Sequence, residues 1–237
     1  MKRSIIQTQD GSRTIRIEEW TESYHSVHGA VQEAVHVFMK NGLEEVAMNK
    51  STIKILEIGY GTGLNALLTV LYGSKLNLMI DYVGIEKFPV SREELFALAY
   101  ADSCTKIADK SIEKIEDIQQ KMFDASWGVF TEITPSFRLK KVQLDFFDLP
   151  KLLDKDFDLI YFDAFGARVQ PELWEMELLQ KVVEKMNIES QFTTYAAKGS
   201  LKRTLQTLGL DVEKRVGPPG KREMMIAKKY PIQPENI

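Results

Sequence analysis

The chain opens with "IIQTQDGSRTIRIEE", two runs of alternating apolar and polar residues around Asp10-Gly11, which is the pattern of a hairpin. "GAVQEAVHVFMKNGLEE" follows, with apolar residues at helical spacing that predict a helix ending near Gly42. The pattern then changes. "IKILEIG" is a continuous apolar run rich in β-branched residues, read as a buried strand, and after it Leu64, Leu67, Leu68 and Leu71 fall on one helical face. "LNLMIDYVGIE" is a second strand ending at Glu86. Residues 91 to 130 are mostly polar, with Ile107, Ile112, Ile115, Ile118 and Met122 spaced as in helices. "RLKKVQLDFF" gives a third strand leading to Asp148, and "FDLIYFDAFGA" a fourth ending at Asp163. "VQPELWEMELLQKVVEKM" predicts a helix with Pro171 in its first turn and Leu179, Val183 and Met186 on one face. "SQFTTYAA" is a fifth strand and "SLKRTLQTLGL" a further helix. "DVEKRVGPPGKREMMIAKK" is a closing antiparallel hairpin turning at Gly217-Pro218-Pro219-Gly220. The expected architecture is α/β: a hairpin and helix extension over residues 1–50, a sheet domain over 51–230 and a loose tail, "PIQPENI", over 231–237.

Between the first strand and its helix lies "LEIGYGTGLN", strand, glycine turn, helix. Glycine permits positive φ and close approach of a ligand, and the free N–H groups of the helix start face polar or anionic groups. A dinucleotide fingerprint needs Gly-x-Gly-x-x-Gly, yet from Gly59 and Gly61 the third position falls on Leu64, while Gly63 gives Gly-x-Gly-x-Gly. Glu57 stands two residues ahead. Glu-x-Gly-x-Gly-x-Gly resembles the first motif of the class I S-adenosylmethionine-dependent methyltransferases, which implies a Rossmann-like fold. Glu86 lies 23 positions beyond Gly63 at a strand end, where a carboxylate can accept hydrogen bonds from ribose hydroxyls. In open parallel sheets the crevice lies at the carboxyl ends of the strands, so Glu57, Glu86, Asp148 and Asp163 are expected on one rim.

Composition narrows the function. The 237 residues, 44% hydrophobic and 27% charged, suffice for one sizeable α/β domain. No apolar run approaches the roughly 18 residues of a membrane span, and "MKRSIIQTQDG" turns polar too early for a signal peptide, so a cytoplasmic protein is expected. Cys104 is the single cysteine, which excludes internal disulfides and thiolate metal cages and suits a reducing compartment; it reads as a helix residue rather than a nucleophile. His25, His28 and His36 fall within twelve residues but at no spacing of a common zinc site, so no metal is expected. Net charge is only −3, but residues 198–229 carry nine basic side chains against three acidic ones, leaving −9 on the rest. Such asymmetry fits a phosphate-contacting edge on an acidic protein.

Further segments are more specific. "LEIGYGTGLN", "IEKFPVSREEL", "FDAFGARVQPELW" and "TYAAKGSLKRTLQTLGLDVEKRVGPPGKREMMIA", with the lead-in "GAVQEAVHVFMKNGL", resemble in order the methyltransferase part of the bifunctional tRNA 5-methylaminomethyl-2-thiouridine biosynthesis proteins, the MnmC family. The family's Gly-Asp pair is replaced here by Phe147-Asp148, and its Phe-x-Pro-x-x-Asn-Pro-like run by Phe165 to Pro171. The family's flavin-dependent oxidase half has no counterpart in these residues, so a stand-alone methyltransferase is expected. The resemblance implies S-adenosylmethionine as cofactor and a tRNA wobble uridine as substrate, its aminomethyl group being methylated. It implies Asp163 as the catalytic carboxylate, Glu57 with Gly59, Tyr60, Gly61, Gly63 and Asn65 around the methionine end, Glu86 on the ribose, Lys87 with Phe88 over the adenosine, and Asp148 on the adenine amino group. Tyr24 and His28 precede a helix by the substrate mouth, and Lys198, Lys202, Arg203, Lys221 and Arg222 form the tRNA-facing edge. Three alternatives stay open: an aminopropyl-transferring polyamine synthase, a small-molecule N-methyltransferase, and a catalytically silent RNA-binding module. Nothing in the sequence fixes the oligomeric state.

Overall fold

The computed structural model describes residues 2–107 and 114–231. Ile112 of the expected helical cover and nearly all of the expected tail therefore lie outside the described residues.

The first hairpin forms as expected: β1 (Arg3–Gln7) pairs antiparallel with β2 (Arg13–Ile17), with Ile5 opposite Ile15. A two-residue strand, β3 (Glu22–Ser23), completes this small sheet. The helix after it is longer than its glycine suggested. It runs through α1 (Ala30–Ala34), a π-helical stretch at Val35–Leu43 and α2 (Glu44–Ala47). Gly42 does not end it. A Cβ there would lie 3.3 Å from the Tyr161 ring, so the glycine serves close helix-to-sheet packing.

The main sheet alternates with helices: β4 (Thr52–Ile58), α3 (Leu64–Lys75), β5 (Met79–Glu86), α4 (Arg92–Leu98), α5 (Tyr100–Cys104), α6 (Ile115–Asp124), β6 (Thr131–Thr134), β7 (Phe137–Gln143), β8 (Phe157–Phe162), α7 (Met176–Glu184), β9 (Met186–Thr194), α8 (Gly199–Thr207), β10 (Asp211–Val216) and β11 (Glu223–Lys229). Strand order is β10-β11-β9-β8-β4-β5-β7-β6; β9, β8, β4, β5 and β7 are parallel, and the outer partners are antiparallel. The fold is thus α/β with the closing antiparallel hairpin. Strand β6 has no counterpart in the sequence reading. Met186, expected on a helix face, opens β9, and Pro171 begins a 3-10 turn (Pro171–Trp174) ahead of α7.

Strand alternation builds two cores. Ile53, Ile55, Tyr82, Leu139, Leu159 and Tyr161 pack with α3 and the π-helical stretch, while Leu56, Ile58, Val83, Ile85, Ile160 and Phe162 pack with α7 and α8. Both faces being covered explains why β8 reads as an unbroken apolar run. Successive connections leave β4 toward β5 on one side and arrive at β8 on the other, so a topological switch point lies between β4 and β8, where the glycine turn begins.

Candidate active site

A cavity of about 470 Å³ lies over the carboxyl ends of β4, β5 and β8, within the range of small-molecule and cofactor sites. Its floor is the glycine turn, where Gly59, Gly61 and Gly63 all have positive φ. Gly59 shows why. A Cβ there would lie 2.6 Å from the Asp163 carbonyl oxygen, so only glycine lets the ends of β4 and β8 close together. Tyr60 lines the cavity beside this turn.

Two carboxylates meet behind the turn. Asn65, in the first turn of α3, donates its Nδ2 hydrogens to Glu57 Oε1 and to Asp163 Oδ2, each at 2.8 Å. Glu57 is wholly buried and does not line the cavity, so its influence there passes through Asn65. Burial pushes the Glu57 carboxyl well above the usual range, and the Asp163 charge adds to the rise. Asp163 does face the cavity. Burial raises its pKa to about 7, with the Glu33 charge pushing the same way and Asn65 and Lys221 opposing. Burial thus raises both carboxyls above the ordinary carboxylate range, the kind of shift that marks groups able to handle protons.

At the end of β5, Glu86 Oε2 accepts from the Gly61 N–H at 3.0 Å and Oε1 from the Phe88 N–H at 2.8 Å. A carboxylate has about four acceptor sites, so two remain for hydroxyl donors. Lys87 lies beside it and donates to Asp145 Oδ2 at 2.6 Å, holding the Asp145 carboxyl below its ordinary value. The third-strand acid differs from expectation. Strand β7 stops at Gln143, so Asp145, Phe146 and Phe147 line the cavity, whereas Asp148 sits in the following 3-10 turn (Phe146–Lys151), is not among the lining residues, and pairs with Lys151 at 2.8 Å.

The N-terminal sheet roofs the cavity with Trp20, Glu22, Tyr24 and His25. It is fastened by Arg3, which donates to Glu94 Oε2 at 3.1 Å, by Arg13, which donates to the Ala97 carbonyl at 2.8 Å, and by Arg168, which pairs with Glu22 and donates to the Trp20 carbonyl at 2.8 Å. Phe165 stands edge-on to Trp20 and Tyr24, with centroids 5.4 and 5.1 Å away, forming an aromatic wall near Asp163. Opposite, Lys221 reaches in from the hairpin turn, donates to Glu33 Oε2 at 2.6 Å and lies 3.8 Å from the centroid of Tyr195. Lys221 is thus a cavity residue. Lys198, Lys202, Arg203 and Arg222 instead lie on α8, at its start and at the hairpin turn, with no ion-pair partner among the described residues, and none of them lines the cavity.

Sequence reasoning missed Glu22, Glu33 and Asp145, which stand in no motif, and gave no role to Phe165 and Tyr195, although both lie in segments of the resemblance. The histidines disperse. His36 donates from Nε2 to the Val216 carbonyl at 2.8 Å, His28 pairs with Gln9, and His25 is half-buried beside Thr14 at the cavity wall, with its pKa pushed down to about 4 by desolvation. Among the described residues no group of three or more His, Cys, Asp or Glu could hold a metal ion, and no helix is long and apolar enough to cross a membrane. Cys104 is buried and burial pushes its thiol up to about 12, the state of an inert side chain.

These residues fit S-adenosylmethionine: a glycine cradle without side chains, an acid with open acceptor sites at the end of β5 suited to hydroxyl donors, and an apolar and aromatic wall. A family model described as S-adenosyl-L-methionine-dependent methyltransferase matches residues 111–230. Among curated relatives, the tRNA 5-methylaminomethyl-2-thiouridine biosynthesis bifunctional protein MnmC of Idiomarina loihiensis is 31% identical over 222 residues, covering 85% of this chain and 34% of that protein. The same-named protein of Burkholderia multivorans is 29% identical over 220 residues, covering 88% and 32%. The chain therefore spans about a third of the length of these relatives. Among solved structures, MnmC2 from Aquifex aeolicus aligns with a TM-score of 0.78 at 23% identity, covering 98% of this chain and 72% of that one. A spermidine synthase in complex with the transition-state analogue AdoDATO aligns at 0.57 and 12%, covering 95% and 68%. Both structural likenesses speak for the fold. With the family model matching half of the chain and a relative 31% identical over 85% of it, the chain belongs to the S-adenosyl-L-methionine-dependent methyltransferases.

Proposed function

We propose that this enzyme methylates the primary amine of an aminomethyl group on a tRNA wobble uridine, a reading that places it in the cytoplasm. The observation that carries it is Asp163, a carboxylate titrating near neutrality at the end of β8, beside the glycine turn and against the aromatic wall of Trp20, Tyr24 and Phe165. The named relatives cover most of the chain and support the substrate.

S-adenosylmethionine, when bound, supplies an electrophilic methyl group on sulfur. Glu86 and the glycine turn hold the ribose and methionine ends; Asp145, with Phe146 and Phe147, takes the adenine edge in place of Asp148. Asp163 accepts an N–H of the amine, keeps its lone pair forward and takes up positive charge as it develops on nitrogen. The aromatic wall offers ring edges and faces to the uracil. Outside the cavity, Lys198, Lys202, Arg203 and Arg222 hold phosphates, positioning the anticodon arm without reading its bases. Residues 1–50 act as the roof of a methyltransferase domain formed by residues 51–230.

A polyamine synthase needs acids free to bind a diamine. Here Glu22 is paired with Arg168 and Glu33 with Lys221, so neither is free to take the second amine of a diamine beside Asp163. Incubation of the purified protein with labelled S-adenosylmethionine and tRNA lacking the final methyl group tests the reading. Label in the tRNA at the wobble position supports it, and label only in a small amine overturns it.

A further inference from the structure

Asn65 holds an acceptor that none of the described residues uses. The residue is 2% exposed and lines the cavity, and its Nδ2 is engaged twice, by Glu57 and by Asp163. An ionised Asp163 only accepts, so the amide must present its NH2 side to it. That leaves Asn65 Oδ1 buried without a hydrogen-bond partner among the described residues. Buried polar atoms are rarely left so, and a ligand donor is the natural complement. The orphan oxygen belongs to the same side chain that touches Asp163, so two acceptors, the Asn65 carbonyl and the Asp163 carboxylate, neighbour each other at the cavity wall, the first of them covered until a donor reaches it.

Resting on the reading above, we infer that Asn65 is an acceptor-binding residue that, together with Asp163, selects a primary amine and stops the reaction after one methyl group. A neutral primary amine has two N–H donors and one lone pair. With one N–H on Asn65 Oδ1 and the other on Asp163, the lone pair is left to face the methyl carbon. The nitrogen lone pair forms the new N–C bond as the C–S bond breaks; its electron pair stays on sulfur, which becomes a neutral thioether. The resulting ammonium group passes one proton to the Asp163 carboxylate and from there to solvent. The product has a single N–H left when neutral. To react again it must set its methyl against one of the two acceptors, leaving that acceptor buried and unpaired, and a site built to bind an N–H discriminates strongly against an analogue that lacks it. This assigns Asn65 to the acceptor rather than to the methionine end of the cofactor.

The test compares tRNA carrying an aminomethyl wobble uridine with tRNA carrying the methylaminomethyl form. In equilibrium binding without cofactor, at a pH above the pKa of both amines so that neither carries an extra hydrogen, the wild type should hold the first about tenfold more tightly, the scale set by one unpaired buried acceptor. Asn65→Ala should bring the two affinities within about twofold by the same reasoning and, with S-adenosylmethionine, should yield dimethylated uridine, which the wild type does not form. Wild-type protein that methylates the aminomethyl tRNA yet binds both forms equally overturns the inference with no variant needed. So does Asn65→Ala that loses cofactor affinity while keeping discrimination and a purely monomethylated product, because Asn65 then belongs to the cofactor. Absence of any wild-type transfer to the aminomethyl tRNA sinks the tRNA reading itself and this inference with it.

Discussion

Asn65 Nδ2 lies 2.8 Å from Asp163 Oδ2, and its remaining hydrogen is taken by Glu57 at the same distance. One amide at the start of α3 therefore ties the ends of β4 and β8 together and fixes the carboxylate that faces the acceptor. Removing the charge and removing the shape of Asp163 are then separable experiments.

Asp163→Asn keeps an oxygen for Asn65 to donate to but loses the charge. Methyl transfer should fall by about 10²- to 10⁴-fold, the usual worth of a positioned proton-handling group, while S-adenosylmethionine affinity changes no more than a few-fold. Single-turnover methylation beside titration calorimetry checks this. Turnover within a few-fold of wild type would reduce Asp163 to a structural role.

The pKa of Asp163 near 7, against an ordinary 3.8, also links stability to pH. The folded protein keeps a proton that the unfolded chain has released, so the stability this group contributes is full below 3.8 and is lost as pH rises through 7. Asp163→Asn should therefore gain in melting temperature relative to wild type between about pH 5 and about pH 8, by roughly 2–4 °C for each kcal/mol involved in a chain of this size. Catalysis runs the other way, its rate rising as both Asp163 and the amine lose protons. Melting curves at several pH values and a pH–rate profile of the wild type decide both points; a melting difference independent of pH would contradict the assignment.

Glu86 is held by two backbone N–H groups and has acceptor sites to spare. Glu86→Gln should cost about 1–3 kcal/mol of cofactor affinity, the scale of hydrogen bonds to a charged group. Calorimetry reads it directly, and an unchanged affinity would remove Glu86 from the ribose position.

Changing Lys198, Lys202, Arg203 and Arg222 together to alanine should raise KM for tRNA and flatten its salt dependence, by up to about 0.7–0.9 in slope for each phosphate that is no longer neutralised. Cofactor affinity should hold. Lys214, whose ammonium is bound to Glu223 at 2.7 Å, is the contrast, and its replacement should leave the salt slope alone. KM measured over a series of salt concentrations distinguishes the two sets, and equal slopes would mean that this edge does not bind the RNA.

The sequence by itself determined the two hairpins and the order of the five parallel strands, though not β3 or β6, because apolar periodicity and glycine geometry act within a few residues. It also supplied the glycine turn with Glu57, and the cavity acids Glu86 and Asp163, each marked by its place at or near the end of an apolar run. Only the tertiary structure decided which charges remain available. The third-strand acid that lines the cavity is Asp145 and not Asp148, since the register of β7 ends the strand at Gln143. Lys221, grouped by sequence with the basic edge, is engaged by Glu33, 188 positions away in the chain, and other members of the basic run are likewise paired, Arg215 with Glu45 and Lys214 with Glu223. Gly42 reads as a stop and is a packing contact to Tyr161. The division has one physical reason: backbone geometry is dictated by near neighbours, whereas a charge or an orphan acceptor takes its meaning from whatever partner the fold brings within about 3 Å.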